Sequence, residues 1–451
     1  MSIPLTPLES WIAGRIAGAS QPTHVGALSI EALRAWQLAR LNETLHRVRA
    51  RSRYYQRTLR SADPTLVRLE HIERLPFTTA DDVRAAPLDF LCVPQHEVER
   101  IVTLPTSGTT GAPKRIFFTP GDQETTTDFF HRGMSTLVGP GDRVLILLPG
   151  GLPGSVGDLL KAGLARMDVE GIPHGPVIDP AHTLGVLDEA QVTALVGIPI
   201  QVLSLVKTGQ ALGLPAPASL RAVLLSTDRL PQAVRQAVEQ VWGCEVYDHY
   251  GATEMGLGGG VDCRARTGYH LREADLLFEI IDPQTLQPVA EGASGEVVFT
   301  TLTREAMPLV RYRTGDVARF LPSPCACGTV LRRMAHIDER LLGGVVLSDG
   351  LTLRQGDLDE ALLPLDGVAD FRVLLRDRAA EKDLVLCIRP QPATAGPDLD
   401  AVMRALTTIP ALAAAIPEGR VAVRLSDEPG EVWASTGTAK RKIERKEVLV
   451  A

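Results

Sequence analysis

Between residues 30 and 60, apolar positions return every three or four residues (Leu33, Trp36, Leu38, Leu41, Leu45, Val48), the spacing of an amphipathic helix. The segment RLPFTTADDVRAAP that follows reads as a turn. Thr78 or Thr79 caps a short helix there, ahead of a strand that runs into Thr106. From 115 to 251 short apolar runs (RIFFT, RVLILLP, ALVGIP, RAVLLST) alternate with helical stretches such as DPAHTLGVLDEA and PQAVRQAVEQVW. That alternation predicts helices layered on a mostly parallel sheet. Between 276 and 320 the runs LLFEIID, GEVVFTTL and LVRYRT predict a smaller barrel-like or antiparallel part. Beyond 338 come strands FRVLLRD, DLVLCIR and RVAVRL, a helix over 398–408 and the loop QPATAGP. The expected fold class is therefore α/β. A large domain over 1–337 carries parallel-rich sheets and a β-rich part, and a small α+β domain spans 338–451.

Composition narrows the function classes. The chain has 451 residues, 45% hydrophobic and 22% charged, ordinary for a globular protein with two or three domains. A formal charge of −7, with no basic, aromatic-rich region, argues against nucleic acid as the main partner. No apolar run reaches the roughly 18 residues of a membrane helix, and MSIPLTPLESW lacks the pattern of a secretion signal. The expectation is a cytoplasmic protein whose six cysteines are metal ligands or isolated thiols, not disulfides. A homodimer is left open.

The chemistry begins at Thr106–Arg115, TSGTTGAPKR. Glycines let backbone N–H groups approach an anion closely, while hydroxyls and Lys114 add donors and charge. Such a loop suits polyphosphate, the alternative being a plain Gly/Thr turn. It is not the P-loop of kinases, because only Thr109 and Thr110 separate Gly108 from Gly111 and Pro113 precedes Lys114. The string resembles the phosphate loop of adenylate-forming enzymes. With RLPFTTADDVR, YDHYGATEMG (247–256) and GEVVFTTLTREAMPLVRYRTGD (295–316) in the same order, the chain resembles their phenylacetate-CoA ligase-like branch.

That resemblance implies a large domain that binds ATP and a carboxylic acid, and a small domain that rotates. It also implies a reaction in which the acid attacks the α-phosphate of ATP, pyrophosphate leaves, and the thiol of CoA displaces AMP. By the same resemblance Thr106, Ser107, Gly108, Thr109, Thr110, Gly111 and Lys114 would hold the β- and γ-phosphates. Glu254 would bind Mg²⁺, a hard cation that prefers oxygen, and Thr253 the α-phosphate. Tyr250 would stack on adenine, with Asp248 and Gly251 in the same motif. Asp316 would take the ribose diol, and Ser226 and Asp228 would lie near adenine. The acid would sit against LPGGLPGSVG (148–157), which reads equally as a strand-to-helix turn.

A second constellation stands apart from ATP. Cys263, His270, Cys325 and Cys327 make a Cys₃His set of the kind that closes a structural Zn²⁺ site, and the same branch carries a similar arrangement. The alternative is core cysteines with a surface histidine. Cys92, Cys244 and Cys387 read as core.

The departures from the family concentrate at the domain junction and tail. Ala335 and His336 stand where the branch has Gly-Arg, and Asp338 remains as the hinge candidate. The stretch lining the CoA tunnel is replaced by GGVVLSDGLTLRQGD. TGTAKRKIERKE resembles a Gly-Lys-Ala-x-Arg segment, which puts Thr438 where the adenylating lysine belongs. Lys440, Arg441 and Lys442 follow within one helical turn. Lys442 is the candidate replacement, against a plain solvated basic tail. Two other functions compete: adenylyl transfer to a cofactor hydroxyl, and nucleotide binding with impaired adenylation.

Overall fold

The computed structural model describes residues 3–18, 28–63, 65–104, 113–341, 343–348, 350–377, 382–391, 396–426 and 441–447. The expectations for residues 106–111, Thr438 and Lys440, and for most of QPATAGP, lie outside the described residues. The chain divides into two compact units, one of residues 1–141, 152–169 and 247–337, the other of 142–151, 170–246 and 338–451.

The first unit is built on β-structure wrapped by the N-terminal helices. The strands Leu276–Ile281, Gly295–Thr301 and Tyr312–Ala318 form an antiparallel sheet with Phe278 opposite Phe299 and Phe299 opposite Tyr312. A second antiparallel set runs in the order Phe320–Leu321, Arg333–Met334, Tyr269–Leu271, Gly260–Asp262, Glu245–Tyr250. The helix Ile30–Arg51 lays Leu41, Leu45 and Val48 into a core shared with Phe278, Phe299 and Tyr312.

The expected helix over 30–60 is two helices, because Ser52 leaves the helical region at φ −88° and ψ 119°. Its side chain accepts from the Tyr55 amide and so caps the second helix, Arg53–Thr58. Its hydroxyl also donates to the Asp89 carbonyl. Of the two candidate caps further on, Thr79 is the one that caps, in a reciprocal box with Asp82 ahead of Ala80–Ala85. Thr78 is instead fully buried, donating to the Val310 carbonyl and bonded to the Tyr55 hydroxyl.

The second unit contains the parallel sheet. Its strands Ala222–Leu225, Ala194–Gly197, Arg143–Ile146 and Glu170–Pro173 lie side by side in that order, all parallel. The runs ALVG and AVLL are buried at every position, as a sheet covered on both faces requires. The helix Pro199–Ala211 is buried almost all round, which is why its sequence shows no amphipathic stripe. From 338 onward the strands run in the order Val421–Leu425, Lys382–Pro390, Val368–Asp377, Ile443–Glu447. Helix Leu399–Leu406 is as expected. Residues 443–447 form a strand parallel to Val368–Asp377, with Ile443 opposite Val373.

Candidate functional site

Lys114 opens the strand Lys114–Phe118, which pairs antiparallel with Arg100–Leu104. Glu254 sits in the short helix Thr253–Met255. The preceding Gly251 has to be glycine, since a Cβ there would lie 2.2 Å from the Leu257 carbonyl oxygen. The two charges meet. Lys114 Nζ donates to Glu254 Oε1 and also to the Tyr312 hydroxyl at 3.2 Å, and that hydroxyl donates to Glu254 Oε1 at 2.9 Å. The side chains are 11% and 8% exposed, so the pair is buried but still reaches solvent. Burial opposes ionisation of Glu254. The Lys114 charge, with the bonds from Lys114 and Tyr312, overcomes it and holds the carboxyl below its ordinary value.

Tyr312 begins the strand that carries Asp316. Asp316 Oδ2 accepts from the Tyr250 hydroxyl at 3.0 Å, so two residues expected at the nucleotide are in direct contact. One face of the Tyr250 ring stacks on Tyr269 at 5.6 Å. Asp248 is buried beneath: its Oδ2 accepts from the Tyr269 hydroxyl at 2.9 Å, and its amide donates to Asp262 Oδ2. His336, in the place of the family arginine, reaches Asp262 Oδ1 through Nε2 at 2.8 Å and meets Tyr269 edge-on at 4.9 Å. Tyr312, Asp262 and Tyr269 were absent from the sequence reading. For Tyr312 a signal existed, its position four residues before Asp316 in YRTGD.

The four nominated metal ligands converge. Cys263, His270, Cys325 and Cys327 are buried, with all ligand atoms within 4.8 Å of one another. His270 is fully buried, which removes the alternative of a surface histidine. Cys263 Sγ lies 3.8 Å from Cys325 Sγ, and Cys327 Sγ lies 3.5 Å from His270 Nε2. Tetrahedral zinc with arms of about 2.3 Å sets sulfurs roughly 3.7 Å apart, so the donor set fits. The contact between the two thiols, with His270 beside it, draws the Cys327 thiol down against burial, while the same contact and burial push the Cys263 thiol up. Arg333 Nη1 and the Ala265 amide add donors to the sulfurs of Cys325 and Cys263. Of the other cysteines, Cys92 and Cys244 are buried as expected, whereas Cys387 is half-buried.

The second unit holds Ser226, Asp228 and Lys442. Ser226 is buried after the strand Ala222–Leu225. Thr227 takes φ +76°, a left-handed conformation that costs a β-branched residue on the order of 1–3 kcal/mol. Asp228 Oδ1 accepts from the Arg229 amide, and Oδ2 lies 3.4 Å from the amide of Arg441. Arg441 is buried. Its Nε and Nη2 donate to Asp359 Oδ1 at 3.1 and 2.8 Å, its Nη1 pairs with Asp370, and its guanidinium lies over Phe371. Lys442, the next residue, is exposed. In the segment 148–157, residues 149 and 151–153 are exposed.

Residues 41–302 match the family described as AMP-binding enzyme. The chain is 30% identical to phenylacetate-coenzyme A ligase of Thermus thermophilus over 360 residues, 77% of this chain and 79% of that one. It is 32% identical to phenylacetate-coenzyme A ligase of Aromatoleum evansii over 336 residues, 69% of this chain and 71% of that one. Its fold is similar to that of 2-hydroxyisobutyryl-CoA ligase in complex with an acyl-AMP, with a TM-score of 0.76 at 22% identity, over 92% of this chain and 89% of that one. A matched region running from the first long helix through the YGATE segment to the antiparallel sheet, together with relatives aligned over most of their length, places this chain among the AMP-binding enzymes, in the phenylacetate-CoA ligase-like branch.

Proposed function

We propose that the protein is an AMP-forming acid–CoA ligase. A carboxylic acid attacks the α-phosphate of ATP, pyrophosphate leaves, and CoA thiol then displaces AMP to give the thioester. The observation that carries this reading is the buried meeting of Lys114 and Glu254 at the end of the phosphate-loop segment. Joining two anions needs neutralisation and alignment more than covalent help. Lys114 is the cation for the β- and γ-phosphates, with the loop 106–111 supplying backbone and hydroxyl donors. Glu254 is the hard carboxylate for Mg²⁺, whose bound charge would neutralise the phosphates as pyrophosphate departs. Thr253 serves the α-phosphate. Asp316, held by Tyr250, takes the ribose, while Tyr250, Asp248, Gly251, Ser226 and Asp228 frame the nucleoside. Lys442 supplies the tail's cation to the acid and α-phosphate in place of Thr438.

The relatives' names support an aromatic acid as substrate. ATP and CoA as co-substrates suit a cytoplasmic enzyme. Cys263, His270, Cys325 and Cys327 hold a structural zinc with no ligand position left open. A small mobile domain over 338–451 rests on the resemblance to the branch; residues 338–451 group with 142–151 and 170–246 in one compact unit. The test is product analysis with a panel of aromatic and aliphatic acids, with and without CoA. AMP, pyrophosphate and acyl-CoA should form in equal amounts with CoA present. Pyrophosphate release that continues at full rate without CoA, to an acceptor hydroxyl, would contradict the reading.

A further inference from the structure

Glu254 is buried, and a buried carboxylate needs a partner at all times. Lys114 is that partner here, yet Lys114 is also the cation the phosphates require. Once an ammonium turns to a polyphosphate, something else has to hold the carboxylate in place. Among the described residues, both side-chain donors to Glu254 fall on one oxygen, Oε1: the lysine, and the Tyr312 hydroxyl at 2.9 Å. The phenol uses its full capacity in this cluster, accepting from Lys114 at 3.2 Å while donating to Glu254.

Tyr312 cannot follow the lysine. Its ring is 3% exposed and lies 5.4 Å from the ring of Phe299, the residue it also faces across the antiparallel sheet. Its backbone is bridged to Thr78 on the other side. Lys114, on a flexible stem with three donors, is the member free to leave.

We propose that Tyr312 is a positioning residue for the nucleotide's divalent cation. It keeps hold of Glu254 Oε1 when Lys114 transfers to the phosphates, and so presents Oε2 to the metal. This rests on the reading of Glu254 as the magnesium ligand. It adds a residue outside that reading and an order of events, in which the ion pair opens as Mg·ATP enters.

The variant is Tyr312→Phe, which keeps the ring and its packing and removes only the hydroxyl. The readout is equilibrium binding of ATP to the full chain by calorimetry, once with excess Mg²⁺ and once in EDTA. A hydrogen bond to a charged acceptor is worth about tenfold or more in an equilibrium constant. Affinity with Mg²⁺ should fall about tenfold in Tyr312→Phe, while affinity in EDTA stays within about twofold of wild type. The Mg²⁺ concentration giving half-maximal acid-dependent pyrophosphate exchange should rise by a similar factor, with the rate recovering at saturating Mg²⁺. Equal losses with and without Mg²⁺, or no loss in either, would overturn the proposal. Glu254→Gln separates the two layers. If it leaves the Mg²⁺ dependence of ATP binding intact, the magnesium reading itself has failed. If it abolishes that dependence while Tyr312→Phe does not change it, only the role of Tyr312 has failed.

Discussion

Two buried charge clusters, one in each unit, look alike and differ in what their charges have left over. In the second unit the Arg441 guanidinium is consumed: three nitrogens pair with Asp359 and Asp370, and its ring neighbour Phe371 covers the cation. The three side chains are 7%, 5% and 0% exposed. In the first unit Lys114 and Glu254 are one monodentate pair bridged by a phenol, at the start of the strand Lys114–Phe118. Burial and pairing are common to both and therefore do not distinguish a site. Spare coordination does: a single-point lysine can be drawn away, whereas a forked arginine held by two carboxylates cannot. We read the Arg441 cluster as an anchor and the Lys114 cluster as machinery.

The largest effect should come from breaking the anchor. Arg441→Met would leave two buried carboxylates without their cation, at a cost of about 3–5 kcal/mol. Urea unfolding should show this as a drop in midpoint. Lys114→Met should cost clearly less, because Glu254 still has Tyr312 and some access to water. If the two variants lose the same stability, the contrast between the clusters is wrong.

Lys442→Ala is next. The anchor fixes the register of the tail, so it cannot slide by a residue to bring another lysine forward without pulling Arg441 out of its carboxylates. Acid-dependent pyrophosphate exchange should therefore fall at least about a hundredfold, the scale of one charged transition-state donor. Thioester formation from a supplied acyl adenylate should be largely kept. Equal exchange in variant and wild type would remove Lys442 from the chemistry.

Smaller still is the zinc prediction, which concerns occupancy. Metal analysis of the folded protein should give about one zinc per chain, and Cys325→Ala should lower both zinc content and thermal stability. Folded protein without zinc would end that assignment. The smallest effect is on acid stability. Glu254 is held below its unfolded value, so its contribution is present above the ordinary carboxylate range and is lost as pH falls through its folded value. Glu254→Gln should flatten that part of the acid limb of stability. An unchanged limb would mean the Lys114 pairing does not persist in solution.

The parallel sheet, the antiparallel part and the YGATE and YRTGD segments were legible because each is local: apolar runs of strand length, or motifs a few residues long. What was missed is non-local. Tyr312 meets Glu254 across 58 positions, and Arg441 meets Asp359 and Asp370 across 82 and 71. Nothing in TAKRKIERKE distinguishes the buried Arg441 side chain from its exposed neighbour Lys442; only the distant carboxylates of Asp359 and Asp370 part them. Ser52 was hidden for a related reason. A serine inside a helical period is tolerated on average, and its partners at Tyr55 and Asp89 are what turn it into a break.

The most direct test of the account is acid-dependent pyrophosphate–ATP exchange in wild type and Glu254→Gln, measured beside their thermal stability. The account predicts exchange in wild type that requires both acid and Mg²⁺. Glu254→Gln should lose at least about a hundredfold, several kcal/mol of charge stabilisation being at stake, while its melting temperature stays nearly unchanged. Retention of most of the exchange by Glu254→Gln would contradict it, because the open pair would then not be where Mg·ATP is held.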